Sequence, residues 1–288
     1  MNKTIIQTVA ASIFLLASCT FDPTMVATDD GLETKINTEV TLGETEMVDS
    51  PLTTFPNGID NHNWARTSWI LTSTAKETLT SNLFTGDLSL KISRKLCGDF
   101  VTADDLNALW AFSNSTSRRF QVIRTRYASF SRRDGAWYLN QVSPLSIAAT
   151  EGATVGLTAV RIYPASNLSV ALVSLSNANA SNLMMTNQLP RIANFQWVRV
   201  EADAWGAFPI VFAHHNNTRY PLFDDGSSGD RSAGDKTFTA SVYIGGATYK
   251  HIQFDVLDRP CITNARAPIS STTWDVSLVA YIITDVYE

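Results

Sequence analysis

From about Leu52 onward the chain consists of short runs of Val, Ile, Thr and aromatic residues separated by clusters of Gly, Pro, Asn and Asp. This pattern, more than any motif, limits what the chain can fold into, because such runs read as β-strands bounded by turns. The clearest hairpin spans Phe120 to Val142. Phe120, Val122, Arg124, Arg126, Ala128 and Phe130 alternate with Gln121, Ile123, Thr125, Tyr127 and Ser129. Asp134-Gly135 supplies the positive φ of a tight turn, and Ala136-Trp137-Tyr138-Leu139 returns as the partner strand. Further strands are predicted at 68–74, 87–93, 155–163, 168–175, 195–202, 208–213, 237–244, 249–257 and 273–284.

One helix is predicted from Thr102. That residue caps, Asp104 and Asp105 sit in the first turn where the helix dipole favours them, and Leu106, Leu109, Trp110 and Phe112 give one apolar face. A second short helix is expected at 75–83. The expected fold is mainly β: a β-sandwich, either one large or two stacked antiparallel sandwiches, with one or two short helices. The apolar fraction of 44% is enough for an ordinary globular core.

The N-terminus is different in kind. Met1 to Thr4 is polar with one positive charge, Ile5 to Leu16 is mostly apolar, and Ala17 and Ser18 are small. This is the shape of a secretory signal, too short to span a bilayer comfortably. Leu16-Ala17-Ser18-Cys19 resembles the bacterial lipobox. The resemblance implies cleavage after Ser18 and acylation of the Cys19 thiol, and Thr20 after the Cys implies the outer membrane of a two-membrane host. Each acyl CH₂ buried in lipid contributes ~0.8 kcal/mol, so several chains on one Cys hold a domain firmly at a membrane. No other segment reaches ~18 consecutive apolar residues.

The expected organisation is a signal segment (1–18), an acidic flexible tether (19–50) and a β-rich body (51–288), as one unit or as two sub-domains meeting near 145–155. Between Thr20 and Asp60 nine acidic residues face one basic residue, Lys35. So charged a stretch, with only Phe21 and Phe55 as aromatics, reads as solvated chain. With Cys19 lipidated, Cys97 and Cys261 remain as a pair in an oxidising compartment. They are expected to form a disulfide, worth roughly 5 kcal/mol for so long a loop, with two buried free thiols as the alternative.

Local motifs argue against most chemistry. Ser73-Thr74-Ala75-Lys76 matches Ser-x-x-Lys, but such matches arise by chance in a Ser-rich chain, and Lys236-Thr237 is followed by Phe238 rather than Gly. His214 and His215 are neighbours on a predicted strand and point to opposite faces, and His62 stands alone, so no metal or catalytic His is expected. Asp224, Asp225 and Asp230, with Asp235 further on, lie in an acidic glycine-rich loop that offers oxygen ligands to Ca²⁺. The spacing is not that of an EF-hand, and a solvated hairpin loop is the preferred reading. No catalytic residue, metal or cofactor is assigned, and the chain is read as a non-enzyme.

Two features point to binding. Residues 91–133 hold nine Lys or Arg against three Asp, with Arg124 and Arg126 on one strand face. An exposed patch of this kind meets phosphates or acidic glycans, although charges on an edge strand also discourage sheet aggregation. Of the seven Trp, Trp64, Trp69 and Trp205 sit beside turn-like residues and are the first candidates for sugar-facing aromatics. Two functions follow. The first is a lipid-anchored structural or adhesive protein of the cell surface. Thr272-Thr273-Trp274-Asp275-Val276-Ser277-Leu278-Val279, with the signal organisation, is similar to the terminal strand of fimbrillin-type lipoproteins of Bacteroidota. That similarity implies a fimbria-like assembly by strand exchange between like subunits. The second is a surface glycan-binding lipoprotein. A hydrolase ranks third, since two distant carboxylates can act without a local motif. The expected partners are the membrane, other surface proteins or glycans, and not nucleic acid.

Overall fold

The computed structural model describes residues 30–37, 63–82, 85–103, 115–165, 167–179, 181–185, 189–216, 218–227, 229–245 and 249–281. Cys19 and the signal segment lie outside them. The chain is mainly β, in two sheets. The strands are β1 (Asn63–Asn82), β2 (Asp87–Ala103), β3 (Thr116–Arg133), β4 (Ala136–Val142), β5 (Leu145–Ala149), β6 (Val155–Tyr163), β7 (Val173–Ser176), β8 (Met184–Met185), β9 (Arg191–Ala193), β10 (Gln196–Gly206), β11 (Pro209–His215), β12 (Thr218–Leu222), β13 (Thr237–Ile244), β14 (Tyr249–Asp258) and β15 (Ser271–Tyr281). Two short helices, α1 (Asp30–Lys35) and α2 (Pro260–Thr263), complete the described elements.

The larger sheet runs β1-β2-β3-β5-β15-β14-β11-β12, with β4, β8 and β9 attached at its side; the smaller runs β13-β10-β6-β7. The hairpin between β3 and β4 turns at Asp134 and Gly135, both at positive φ (50° and 79°), as the Asp-Gly pair requires. β5 pairs with β3 on one side and β15 on the other. β5 thus lies within the larger sheet, and the chain passes from it to the smaller sheet at β6.

Period-2 alternation gives the larger sheet two different faces. On one, Val211, Ala213, Ile252, Phe254, Val256, Trp274 and Val276 pack against Val160, Ile162, Val198, Val200, Ala202 and Val242 of the smaller sheet, which forms the sandwich. On the other, Trp64, Leu96, Phe100, Phe120, Val122, Ile147, Phe212 and Leu257 make a second core with Cys261. Trp64 of β1 lies 5.7 Å from Phe212 of β11, and Arg219 of β12 sits 3.7 Å over the Trp64 ring. The large sheet thus curls until its first strand meets its last.

Three expectations are corrected. Residues 75–82 are not helical: they end β1, and Ala75 to Asn82 pair with Ser93 to Asp87 of β2. Repeated Thr and the absence of a 3.6-residue apolar stripe favour that pairing. Residues 31–37, within the predicted tether, are packed. Leu32 and Ile36 are buried against Leu90, Ile92, Ala128 and Phe130, and Glu33 pairs with Lys76. Cys97 and Cys261 are free thiols. Leu96 and Phe100 face the core that contains Cys261, so Cys97, between Leu96 and Gly98, is directed to the opposite face of β2 and cannot reach it. Of the helix predicted from Thr102, Thr102 and Ala103 end β2 and residues 104–112 lie outside the described residues.

Candidate functional site

The predicted binding residues do not come together. Trp64 is fully buried, stacked on Phe100 at 5.6 Å. The Trp69 side chain lies outside the described residues. Arg124 and Arg126 share a strand face, as expected, but it is the inner one, with Phe120, Val122, Ala128 and Phe130, so both are buried rather than part of a surface patch. Arg118 is spent on the main-chain carbonyls of Cys261, Asn264 and Ala267. Of the predicted Trp candidates with described side chains, Trp205 alone is exposed, 43% accessible.

His214 and His251 belong to a buried polar network inside the curl of the larger sheet, His215 points to the opposite face of β11, and His62 lies outside the described residues. Asp255 forms an ion pair with Arg66, accepts a hydrogen bond from Thr273 Oγ1 (2.8 Å) and lies 3.5 Å from His214 Nε2. Burial raises the Asp255 pKa, but the Arg66 charge and the His214 and Thr273 contacts outweigh it and hold the carboxyl at about 2. His251 Nδ1 lies 3.2 Å from Asp275 Oδ1, and His215 Nδ1 lies 2.9 Å from the His251 carbonyl.

A solvent-facing site forms on the outer face of the smaller sheet. Along β10, Val198, Val200, Ala202 and Ala204 enter the sandwich core, so Trp197, Arg199, Glu201, Asp203 and Trp205 project outward. Register places Arg161 of β6 and Thr239 of β13 on either side of Glu201, and Ala159 and Thr237 on either side of Asp203. The loop that follows β12 folds over this face. Gly229 (φ 97°) approaches so closely that a Cβ would stand 2.9 Å from Arg199 Cδ. Between loop and sheet lies a cleft of about 290 Å³ lined by Arg161, Tyr163, Glu201, Asp230, Asp235 and Thr237, among others.

The charges in this cleft are matched to one another. Glu201 Oε2 accepts from Arg161 Nε and Tyr163 Oη at 2.8 and 2.9 Å, and Glu201 Oε1 lies 3.1 Å from Arg199. Arg161 also donates two bonds to Asp203, at 2.6 and 2.8 Å. These bonds raise the Arg161 pKa against the opposing effect of burial. Thr237 Oγ1 donates to Asp203 Oδ1 at 3.0 Å.

Asp224, Asp230 and Asp235 bring carboxylate oxygens within 4.8 Å of one another, while Asp225 turns away to Ser227. Asp224 accepts the main-chain N–H groups of Gly234, Asp235 and Lys236, Asp230 those of Gly226 and Ser232, and Asp235 that of Thr237. The three carboxylates thus staple the loop over the cleft.

Comparison with known protein families, with curated proteins and with solved structures finds no match to this chain. Its site is therefore read from geometry. The cleft was missed in the sequence because its walls come from β6, β10, β13 and a loop far apart along the chain. The one local signal was the alternation Trp197, Arg199, Glu201, Asp203, Trp205, which sets an unusually rich polar and aromatic series on one face of a strand whose other face is all apolar.

Proposed function

We propose that this protein is a cell-surface lipoprotein, anchored through Cys19 at the outer membrane, that binds glycans on the outer face of its four-stranded sheet. The observation that carries the reading is a cleft of about 290 Å³ lined by hydroxyl, carboxylate and guanidinium groups on the same sheet face as the exposed indole of Trp205. Sugar rings present hydroxyls for such polar groups and apolar faces for an aromatic ring, and the cleft volume is in the range of small-ligand sites. Trp205 is seated for this role: its Nε1 lies where a Cβ on Gly156 would be 2.4 Å away, so the indole rests directly on the glycine backbone. The test is a broad glycan array probed with the mature chain carrying Cys19→Ser, so that it stays in solution. Binding to a defined glycan class, lost in Trp205→Ala, is the expected result; silence across the array refutes the reading.

A structural or adhesive role, in a fimbria-like assembly with like subunits, is the second reading. It is favoured by the far half of β1, where Ile70, Leu71 and Leu79 are all exposed on a strand that ends the sheet order. A heat-sensitive ladder on gentle extraction from the host supports assembly, and a single band at monomer mass refutes it.

A further inference from the structure

Trp205 is not the only aromatic on the outer face of β10. At the other end of the same strand, Trp197 is 56% exposed and packs against Tyr243 of β13, with ring centroids 5.4 Å apart and Tyr243 itself 38% exposed. The two residues are cross-strand partners in register. Phe195, two residues earlier, is held at φ 59° and is 62% exposed. A bulky aromatic in the left-handed region costs of order 1–2 kcal/mol, and that conformation here sets an apolar ring in solvent rather than in the core.

Between the two aromatic positions lie Arg199, Glu201 and Asp203 and the cleft beside them. Trp205 is eight residue steps along the strand from Trp197, which corresponds to about 26 Å. That is far longer than one sugar ring. The ionic groups in this span are engaged with one another: Arg161 with Glu201 and Asp203, and Arg199 with Glu201. Asp230 and Asp235 hold main-chain amides of the overlying loop. An anionic ligand would have to break these pairs or face the carboxylates of Glu201, Asp203, Asp230 and Asp235. A neutral, hydroxyl-bearing ligand needs neither, because carboxylate oxygens accept, and guanidinium N–H groups donate, further hydrogen bonds to neutral hydroxyls.

Resting on the glycan reading above, we infer that the ligand is an extended, uncharged glycan chain. It runs in the direction of β10, with one sugar on Trp205, the next units at the mouth of the charged cleft and across the outside of the overlying loop, and a distal unit on the Trp197–Tyr243 pair. Such a site has several subsites and gains affinity with chain length.

The experiment is calorimetric titration of the mature chain with ladders of neutral oligosaccharides, from mono- to hexasaccharide, of the glucose, mannose, xylose and N-acetylglucosamine series. Affinity is expected to rise with length and to change little with added salt. Trp205→Ala should lower affinity at every length. Trp197→Ala and Tyr243→Ala should flatten the length dependence, lowering hexasaccharide affinity by about tenfold, the size of one lost aromatic contact. Tyr138→Ser, at an exposed aromatic on β4 of the larger sheet, controls for non-specific stickiness and should leave the profile unchanged. Thermal melting of each variant checks the fold. Affinity that stops rising after the disaccharide, or a Trp197→Ala profile identical to wild type, overturns the extended-site inference while leaving a single-platform glycan site in place. Binding confined to acidic glycans and abolished by salt overturns the uncharged class. Absence of binding to every ladder and to the array overturns the glycan reading itself.

Discussion

Replacing Asp255 by Asn changes almost no volume but removes a charge from the interior of the larger sheet. Asp255 and Arg66 side chains are each 1% exposed. Taking two such charges out of water costs several kcal/mol each, and the cost is recovered only while both partners are present. Removing one partner of a buried pair is accordingly worth about 3–5 kcal/mol. The acid limb of the stability curve gives an independent figure. The folded carboxyl, at about 2, lies below its ordinary value of 3.8. The folded state therefore binds this proton less readily than the unfolded state. The resulting stability is complete above the unfolded value and disappears as pH falls from about 4 through about 2. The gap corresponds to about 2 kcal/mol. Urea unfolding of the mature chain at neutral pH, repeated at intervals down to about pH 2, measures both quantities. D255N should be destabilised by about 3–5 kcal/mol at neutral pH and should lack about 2 kcal/mol of the acid-dependent loss. The double variant R66M/D255N should fall short of the sum of the single changes, because the pair is then removed together. If D255N lies within about 1 kcal/mol of wild type, or the two curves fall in parallel through the acid range, the pair is not the determinant assigned to it.

Gly156→Ala should weaken glycan binding nearly as much as loss of Trp205, since its Cβ would displace the indole by contact at 2.4 Å, while melting shifts little; unchanged affinity in a folded variant removes Trp205 from the site. The soluble chain should migrate identically with and without reductant. In native protein Cys97 should react with a thiol reagent and Cys261 only on unfolding, because burial pushes the Cys261 thiol up to about 12 despite the neighbouring Arg118; a reductant-dependent shift would restore the disulfide. Asp224→Asn should cost about 1–3 kcal/mol and expose the loop after β12 to protease, since the Asp224 carboxylate accepts three main-chain N–H groups. In the same assay, millimolar Ca²⁺ that raises the wild-type melting temperature would mean that these carboxylates serve as cation ligands instead.

Strand positions were the most legible part of the sequence. Residues 155–163 and 237–244 form β6 and β13 as predicted, and the Asp134-Gly135 hairpin is where the turn chemistry puts it. Period-2 alternation is local, so it survives without knowledge of the partners. The choice of buried face is less local. In β3 the residues Arg124 and Arg126 fall in the same set as Phe120, Val122 and Phe130, and the apolar members of that set carry the arginines inward. Reading them as surface charges gave charge more weight than the company it keeps. The lost disulfide is the same kind of error: two Cys were paired by counting, although Leu96 and Phe100, flanking Cys97, already fixed the apolar face of β2 and so turned Cys97 away from it. The cleft was the least legible feature, because Arg161, Glu201 and Thr237 meet only through sheet register.

Register also bears on how this chain could join a larger assembly. The terminal strand β15, whose sequence prompted the strand-exchange idea, lies in the middle of the larger sheet. It pairs with β14 along its length, with β5 over Thr272–Asp275 and with β9 in parallel over Val279–Tyr281. Its side chains serve both cores: Trp274 and Val276 enter the sandwich, while Thr273 holds Asp255 and Asp275 faces His251. Donating β15 to another subunit would open both layers at once, unless an equivalent strand arrived to fill the same place. Adding a strand at β1 would break nothing of the kind. Among the described residues β1 pairs only with β2, and from Ile70 to Asn82 it is exposed along nearly its whole length. Its ladder with β2 is interrupted by irregularities at Thr67/Ile70, Leu71/Ser73 and Thr78/Thr80. Such bulges are a common means of keeping an edge from casual pairing. Growth at β1, unlike donation of β15, opens neither layer, so changes at β1 rather than in the terminal strand are the first test of an assembly in this register.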